Sequence, residues 1–157
     1  MEYRFVSYSR LETRYRPQPG DANPFGVMHG GKILYHMDTA TGMTANRHAG
    51  GRAVTASIER MDFISPVEMG ENLLIKTSVN MAHRSSMEIG ARIEAENPFT
   101  GETRHVGTAY VIYVALDKEG NPTPAPALMP ETDDDRRRLA EAVKRRDRRR
   151  KEREEES

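Results

Sequence analysis

The run Asn23-Pro-Phe-Gly-Val-Met-His-Gly-Gly-Lys-Ile-Leu-Tyr-His-Met-Asp38 sets an amide, a glycine pair and one carboxylate around the start of a single helix. Those groups suit attack on an acyl carbonyl. Gly30 and Gly31 open the helix, where backbone N–H groups have no intrahelical partner and no side chain covers them. Such groups can hold an oxyanion. Downstream, Ile33, Met37, Ala40 and Thr44 recur at helical spacing and form an apolar or small stripe, with His36 and Met43 on one flank and Asp38 on the other. Asp38 therefore lies at the border of the buried face, where partial loss of hydration suits a general base. The candidate catalytic residues are Asn23, Gly30, Gly31 and Asp38.

The elements that must position these groups are strands. Residues 54–63 and 72–81 are rich in β-formers and are separated by turn signals at Ser65-Pro66 and Met69-Gly70. After the polar reversal His83-Arg-Ser-Ser86, residues 87–96 alternate apolar and polar most clearly. Asn97-Pro-Phe-Thr-Gly101 is a turn. The segment Thr103–Leu116 is nearly continuous in β-branched, aromatic and small residues and is expected at the centre of a sheet, buried on both faces. With Tyr3 to about Arg14 as a first strand, the order is strand, helix and four strands on short, antiparallel connections. That order predicts an α+β domain.

Composition narrows the class. The chain of 157 residues has the length of one domain and contains no Cys, which excludes a disulfide framework, a thiolate zinc site and a cysteine nucleophile. No apolar run is long enough to span a bilayer, and the first residues lack the apolar core of a signal peptide, so a cytoplasmic location is expected. Formal net charge is zero, yet residues 131–157 carry eleven of the 24 Lys+Arg and ten of the 24 Asp+Glu. The division expected is a domain over 1–130 and a charged helix or tail over 131–157, docked by its first turns and frayed at its end. The basic block Lys144–Lys151 is followed by acids whose field partly cancels its own, so neither nucleic acid nor a membrane is the expected partner. His29 and His36 are seven apart with no acidic third ligand, which is not the spacing of a helical zinc site.

Six blocks carry a family resemblance: Asn23…Gly26-x-x-His29-Gly-Gly-x-Ile-Leu-x-x-Met-Asp38, Val54-Thr-Ala-Ser57, Phe63-x-x-Pro-Val67-x-x-Gly70, Arg84-Ser-Ser-Met-Glu88, Ala95-Glu-Asn-Pro98 and Val114-Ala-Leu-Asp117. In order and spacing they resemble the hotdog-fold acyl-CoA thioesterases, in the branch holding brain acyl-CoA hydrolase and the bacterial broad-range enzymes. The resemblance covers roughly residues 20–130. It implies a long central helix wrapped by a curved antiparallel sheet. It also implies hydrolysis of acyl-CoA to fatty acid and CoA, with no cofactor, because coenzyme A is part of the substrate. Asn23 and the helix-opening glycine amide, from Gly30 or Gly31, then polarise the thioester carbonyl. Asp38 activates water or, less readily, attacks the carbonyl itself.

Helix geometry adds an expectation about assembly. Asp38 is eight residues past Gly30, roughly 12 Å along a helix axis, too far for both to act on one carbonyl. A second helix running antiparallel brings Asp38 of one chain opposite Gly30 of the other, so a homodimer is the minimal active unit. Assemblies of dimers, often hexamers, are usual in the family. For the CoA phosphates the Arg84-Ser85-Ser86 turn is the first candidate, with Arg47, Thr55 and Ser57 weaker ones. The competing reading is a non-catalytic hotdog module that binds acyl-CoA or another effector.

Overall fold

The computed structural model describes residues 2–157. Its longest apolar-striped element is helix α2 (Gly30–Ala49), and both of its ends are set by local chemistry. His29 caps the N-terminus. At the other end Gly50 adopts the left-handed conformation (φ 71°) and its N–H closes on the Asn46 carbonyl, a geometry that glycine reaches without steric cost. The stripe read from periodicity is the buried face: Ile33, Met37, Ala40, Thr41, Thr44, Ala45 and His48 are all buried.

Four strands follow as expected: β3 (Ala53–Phe63), β4 (Asn72–His83), β5 (Ser86–Glu96) and β6 (Thr103–Ala115). The expected first strand is broken instead into β1 (Tyr3–Phe5), a single turn α1 (Val6–Ser9) and β2 (Leu11–Tyr15). The turn has a partner: Thr44 of α2 donates from Oγ1 to the Ser9 carbonyl at 3.0 Å, so the break lets the chain dock on α2. β2, β4, β5, β6 and β3 form one antiparallel sheet in that order. β1 pairs separately, in parallel, with β7 (Ala127–Met129). The sheet packs on α2 as a hotdog fold of the α+β class. Its middle strand is β5, a correction to the expectation for residues 103–116. β6 is internal but lies next to the edge strand β3.

The alternation in β5 has an unexpected use. Met87, Ile89, Ala91 and Ile93 enter the core against α2, whereas Glu88, on the opposite face, is also fully buried. It is covered by α3 (Asp133–Glu156), whose N-terminus is a capping box between Thr132 and Asp135. Arg145 donates to both Glu88 oxygens, at 2.6 and 3.1 Å. The Asn80 amide adds a third bond at 3.0 Å, and Arg149 approaches to 3.6 Å. The guanidinium of Arg145 also lies 3.7 Å over the Tyr110 ring. The charged C-terminal segment is thus a helix docked well past its first turns.

Candidate functional site

At the N-terminus of α2, the His29 backbone is extended (φ −62°, ψ 132°) and its Nδ1 accepts the Gly31 N–H at 2.9 Å. One amide of the pair is therefore already used. The Gly30 N–H has no hydrogen-bond partner among the described residues. A Cβ added at Gly30 would stand 3.7 Å from the ring of Phe63 at the end of β3, so an aromatic wall borders the open amide. Asn23 lies in the preceding loop. Its Oδ1 accepts the N–H groups of Phe25 (2.9 Å) and Val27 (3.3 Å), which fixes an Asx-type turn and leaves the NH2 end to donate elsewhere. The loop is tied down by Met28 N–H to the Val67 carbonyl (2.8 Å) and His29 N–H to the Asp21 carbonyl (2.7 Å).

Two turns further along α2, Asp38 is half-buried at the rim of the core, as the periodicity predicts. Its Oδ1 accepts from Thr55 Oγ1 at 2.8 Å and from the Tyr113 hydroxyl at 3.1 Å. Its Oδ2 has no partner among the described residues. Thr55 and Tyr113 face each other across the β3–β6 ladder, so the sheet register delivers both hydroxyls to one carboxylate oxygen. Burial pushes the Tyr113 phenol above its ordinary 10.0, and the Asp38 charge pushes the same way against the hydroxyls of Thr41 and Thr55. Tyr113 consequently stays protonated and able to donate near neutrality.

The remaining sequence candidates are spread more widely. Thr55 sits on Asp38 rather than at a separate phosphate contact. Ser57 donates to Glu59 at 2.6 Å. Arg47 lies 4.8 Å over the Tyr8 ring, a packing contact shared with Arg4. Arg84 is exposed at the tip of the β4–β5 hairpin, the one non-glycine residue with positive φ (55°) among those described. Ser85 and Ser86 complete that hairpin: the Ser85 carbonyl accepts from the Ala115 N–H, and Ser86 Oγ donates to the His83 carbonyl. Ser86 pairs with Val114, which pairs with Val54, so the hairpin lies at the Asp38 end of the sheet.

Two of the histidines are held by packing. His36 stacks on Tyr15 with centroids 3.9 Å apart, and burial lowers its pKa. His48 is fully buried with Nε2 2.8 Å from the Pro126 carbonyl, and burial lowers it as well. Among the described residues no three acidic or histidine side chains converge as a metal site.

Within one chain, then, the site has two separate halves, an open amide with Asn23 at the start of α2 and a braced carboxylate two turns on. A hotdog fold with an open helix-end amide and a carboxylate braced by two hydroxyls is the architecture of a thioester hydrolase. The thioesterase superfamily matches residues 25–101. The uncharacterized acyl-CoA thioester hydrolase YkhA of Bacillus subtilis is 32% identical over 85% of this chain and 78% of its own length. The chain belongs to the thioesterase superfamily, among the acyl-CoA thioester hydrolases. The cytosolic acyl coenzyme A thioester hydrolase of Rattus norvegicus is 32% identical over 83% of this chain, which spans only 35% of that protein.

Solved structures agree over nearly the whole chain. The acyl-CoA hydrolase of Staphylococcus aureus, in complex with butyryl coenzyme A, coenzyme A and coenzyme A disulfide, superposes with a TM-score of 0.91 at 32% identity, over 98% of this chain and 94% of that one. An apo-hexameric acyl-CoA thioesterase gives 0.93 at 33% identity, over 97% of both chains. These matches include most of α3, so the likeness extends beyond the expected limit near residue 130. Further structures of the Staphylococcus aureus enzyme carry single alanine replacements at an asparagine, at an aspartate fifteen positions later and at a threonine seventeen beyond that. Asn23, Asp38 and Thr55 stand at the same intervals.

Proposed function

We propose that this chain hydrolyses acyl-CoA thioesters to free fatty acid and CoA, and that the observation carrying this reading is Asp38, held through Oδ1 with Oδ2 left free. A water molecule gives its proton to Asp38 Oδ2 as its oxygen bonds to the thioester carbon. The carbonyl oxygen becomes an oxyanion, held by the Gly30 N–H and the Asn23 Nδ2 donor. Collapse breaks the carbon–sulfur bond, and the proton on Asp38 passes to the departing thiolate. A thioester carbonyl is less stabilised by resonance than an ester's, so this set suffices without a covalent intermediate. CoA enters as part of the substrate, and no step calls for a cofactor. Gly31 supports the site through the His29 cap rather than by direct donation.

The two halves act across a two-fold axis. Asn23 and Gly30 come from one protomer and Asp38 from its partner, and the dimers assemble further into a hexamer, the state of the similar apo-hexameric enzyme. β3 supports this reading, since it is an eleven-residue edge strand with Val54 and Ile58 more than 40% exposed. An edge of that length and character calls for a partner. The Arg84-Ser85-Ser86 hairpin, at the Asp38 end, is assigned to the CoA phosphates. Residues 1–130 form the thioesterase domain and 131–157 its charged cover helix. No described helix is long and apolar enough to cross a membrane, and the proposed location is the cytoplasm, in line with the name of the cytosolic relative.

Steady-state release of free thiol from acyl-CoAs of increasing chain length tests the function. Turnover with at least one of them is expected. Tight binding of acyl-CoA without thiol release across the panel would establish a non-catalytic binding module instead.

A further inference from the structure

We infer that Tyr113 is a positioning residue for Asp38, a buried hydroxyl that, with Thr55, restrains one carboxylate oxygen and so presents the other to water; this rests on the thioesterase reading above. Tyr113 is 2% exposed and is held from two sides. Thr41 Oγ1 is 2.8 Å from its hydroxyl, and the Asp38 main-chain carbonyl is 2.9 Å away. Thr41 in turn lies 2.9 Å from the Met37 carbonyl, one turn back on α2. Thr41 therefore has an outlet for its own proton, and the single Tyr113 proton points at Asp38, shared between its main-chain carbonyl at 2.9 Å and its Oδ1 at 3.1 Å.

The helix makes room for this contact. Gly42 follows Thr41, and a Cβ there would stand 3.4 Å from the Tyr113 hydroxyl. A small residue at that place lets the ring of a sheet residue reach the helix backbone. The consequence is geometric: Asp38 χ1 and χ2 are restrained by hydroxyls from two different strands, β3 and β6. Neither Thr55 nor Tyr113 touches the reacting atoms in this arrangement.

The test is Tyr113→Phe, which keeps the ring and removes only the oxygen. Folding is checked by thermal melting and the oligomer by light scattering. The expected result is kcat lowered about tenfold or more, with KM for acyl-CoA within about twofold of wild type, since a misplaced base costs the chemical step and not substrate binding. A purely structural role would lower the melting temperature and leave kcat unchanged at temperatures where the variant is folded. A second measurement needs no turnover. Ionisation of Tyr113, isolated as the difference between wild type and Tyr113→Phe in an alkaline tyrosine titration, should fall to lower pH in Asp38→Asn, since the Asp38 charge no longer opposes it. A folded Tyr113→Phe enzyme with wild-type kcat overturns the proposal, and so does a tyrosine titration indifferent to Asp38→Asn. If wild type releases no thiol from any acyl-CoA, the thioesterase reading fails. In that case the tyrosine titration alone decides whether Tyr113 holds Asp38.

Discussion

In the proposed reaction Asp38 acts through one oxygen, and that makes its conservative replacement informative. Asparagine retains the shape and an oxygen to accept from Thr55 and Tyr113, but it cannot take a proton from water. Asp38→Asn is expected to lower kcat by ~10²–10⁴-fold, the usual contribution of a positioned acid–base group, while acyl-CoA binding measured by calorimetry changes little. More than about a tenth of wild-type turnover would remove Asp38 from the role of base. The position of Asp38 was legible in the sequence, because a 3.6-residue period fixes which side of a helix each residue occupies. Its two hydroxyl partners were not. Thr55 and Tyr113 meet it only through the register of β3 against β6, and that pair carries two irregularities, so no count along the chain predicts it. The choice between Gly30 and Gly31 was also hidden. It depends on the rotamer of His29, whose Nδ1 takes one amide and leaves the other.

The elements around the site show the same division between local and long-range information. The α2 helix and the strands β3 to β6 follow from period, composition and turn residues. The break at Val6–Ser9 does not, since its cause is a hydrogen bond from Thr44, 35 residues away. Docking of α3 beyond its first turns was invisible for a different reason: the contact face there is built from arginine. Arg145 and Arg149 lie one turn apart, and their side chains are only 18% and 14% exposed. The Glu88 carboxylate between them is fully buried. Removing one member of a buried pair leaves the other charge uncompensated, at a cost of about 3–5 kcal/mol. Glu88→Ala should therefore destabilise the protein by roughly that amount in urea or guanidinium denaturation. It should also release α3, so that limited trypsin digestion cuts the Arg-rich 144–151 segment much faster than in wild type. Unchanged proteolysis would mean that Ala142 and the Asp135 cap hold α3 without the ion pair.

At the scale of the whole molecule, the proposed sharing of one site by Gly30 and Asp38 of different chains can be tested by complementation. The replacements must spare local structure. Asn23 accepts two backbone N–H groups through Oδ1, so Asn23→Asp keeps the turn acceptor while removing the NH2 donor; Asp38→Asn removes the base in the same conservative way. Each variant alone is expected to be nearly inactive, because every site in it lacks one of the two groups. If the groups come from different protomers, a mixed dimer has both replacements in one of its sites and neither in the other. Random exchange of equal amounts makes about half the dimers mixed, and each of these has one intact site of two, so activity per chain should approach a quarter of wild type if sites are independent. Grouping dimers into hexamers leaves that fraction unchanged, provided each site is confined to one dimer. Native mass spectrometry establishes that exchange has occurred. Recovery no greater than that of the separate variants, with exchange verified, would overturn the placement of Asp38 across the dimer; because Gly30 and Asp38 lie roughly 12 Å apart along one helix, the role given to the Gly30 amide would then have to be abandoned.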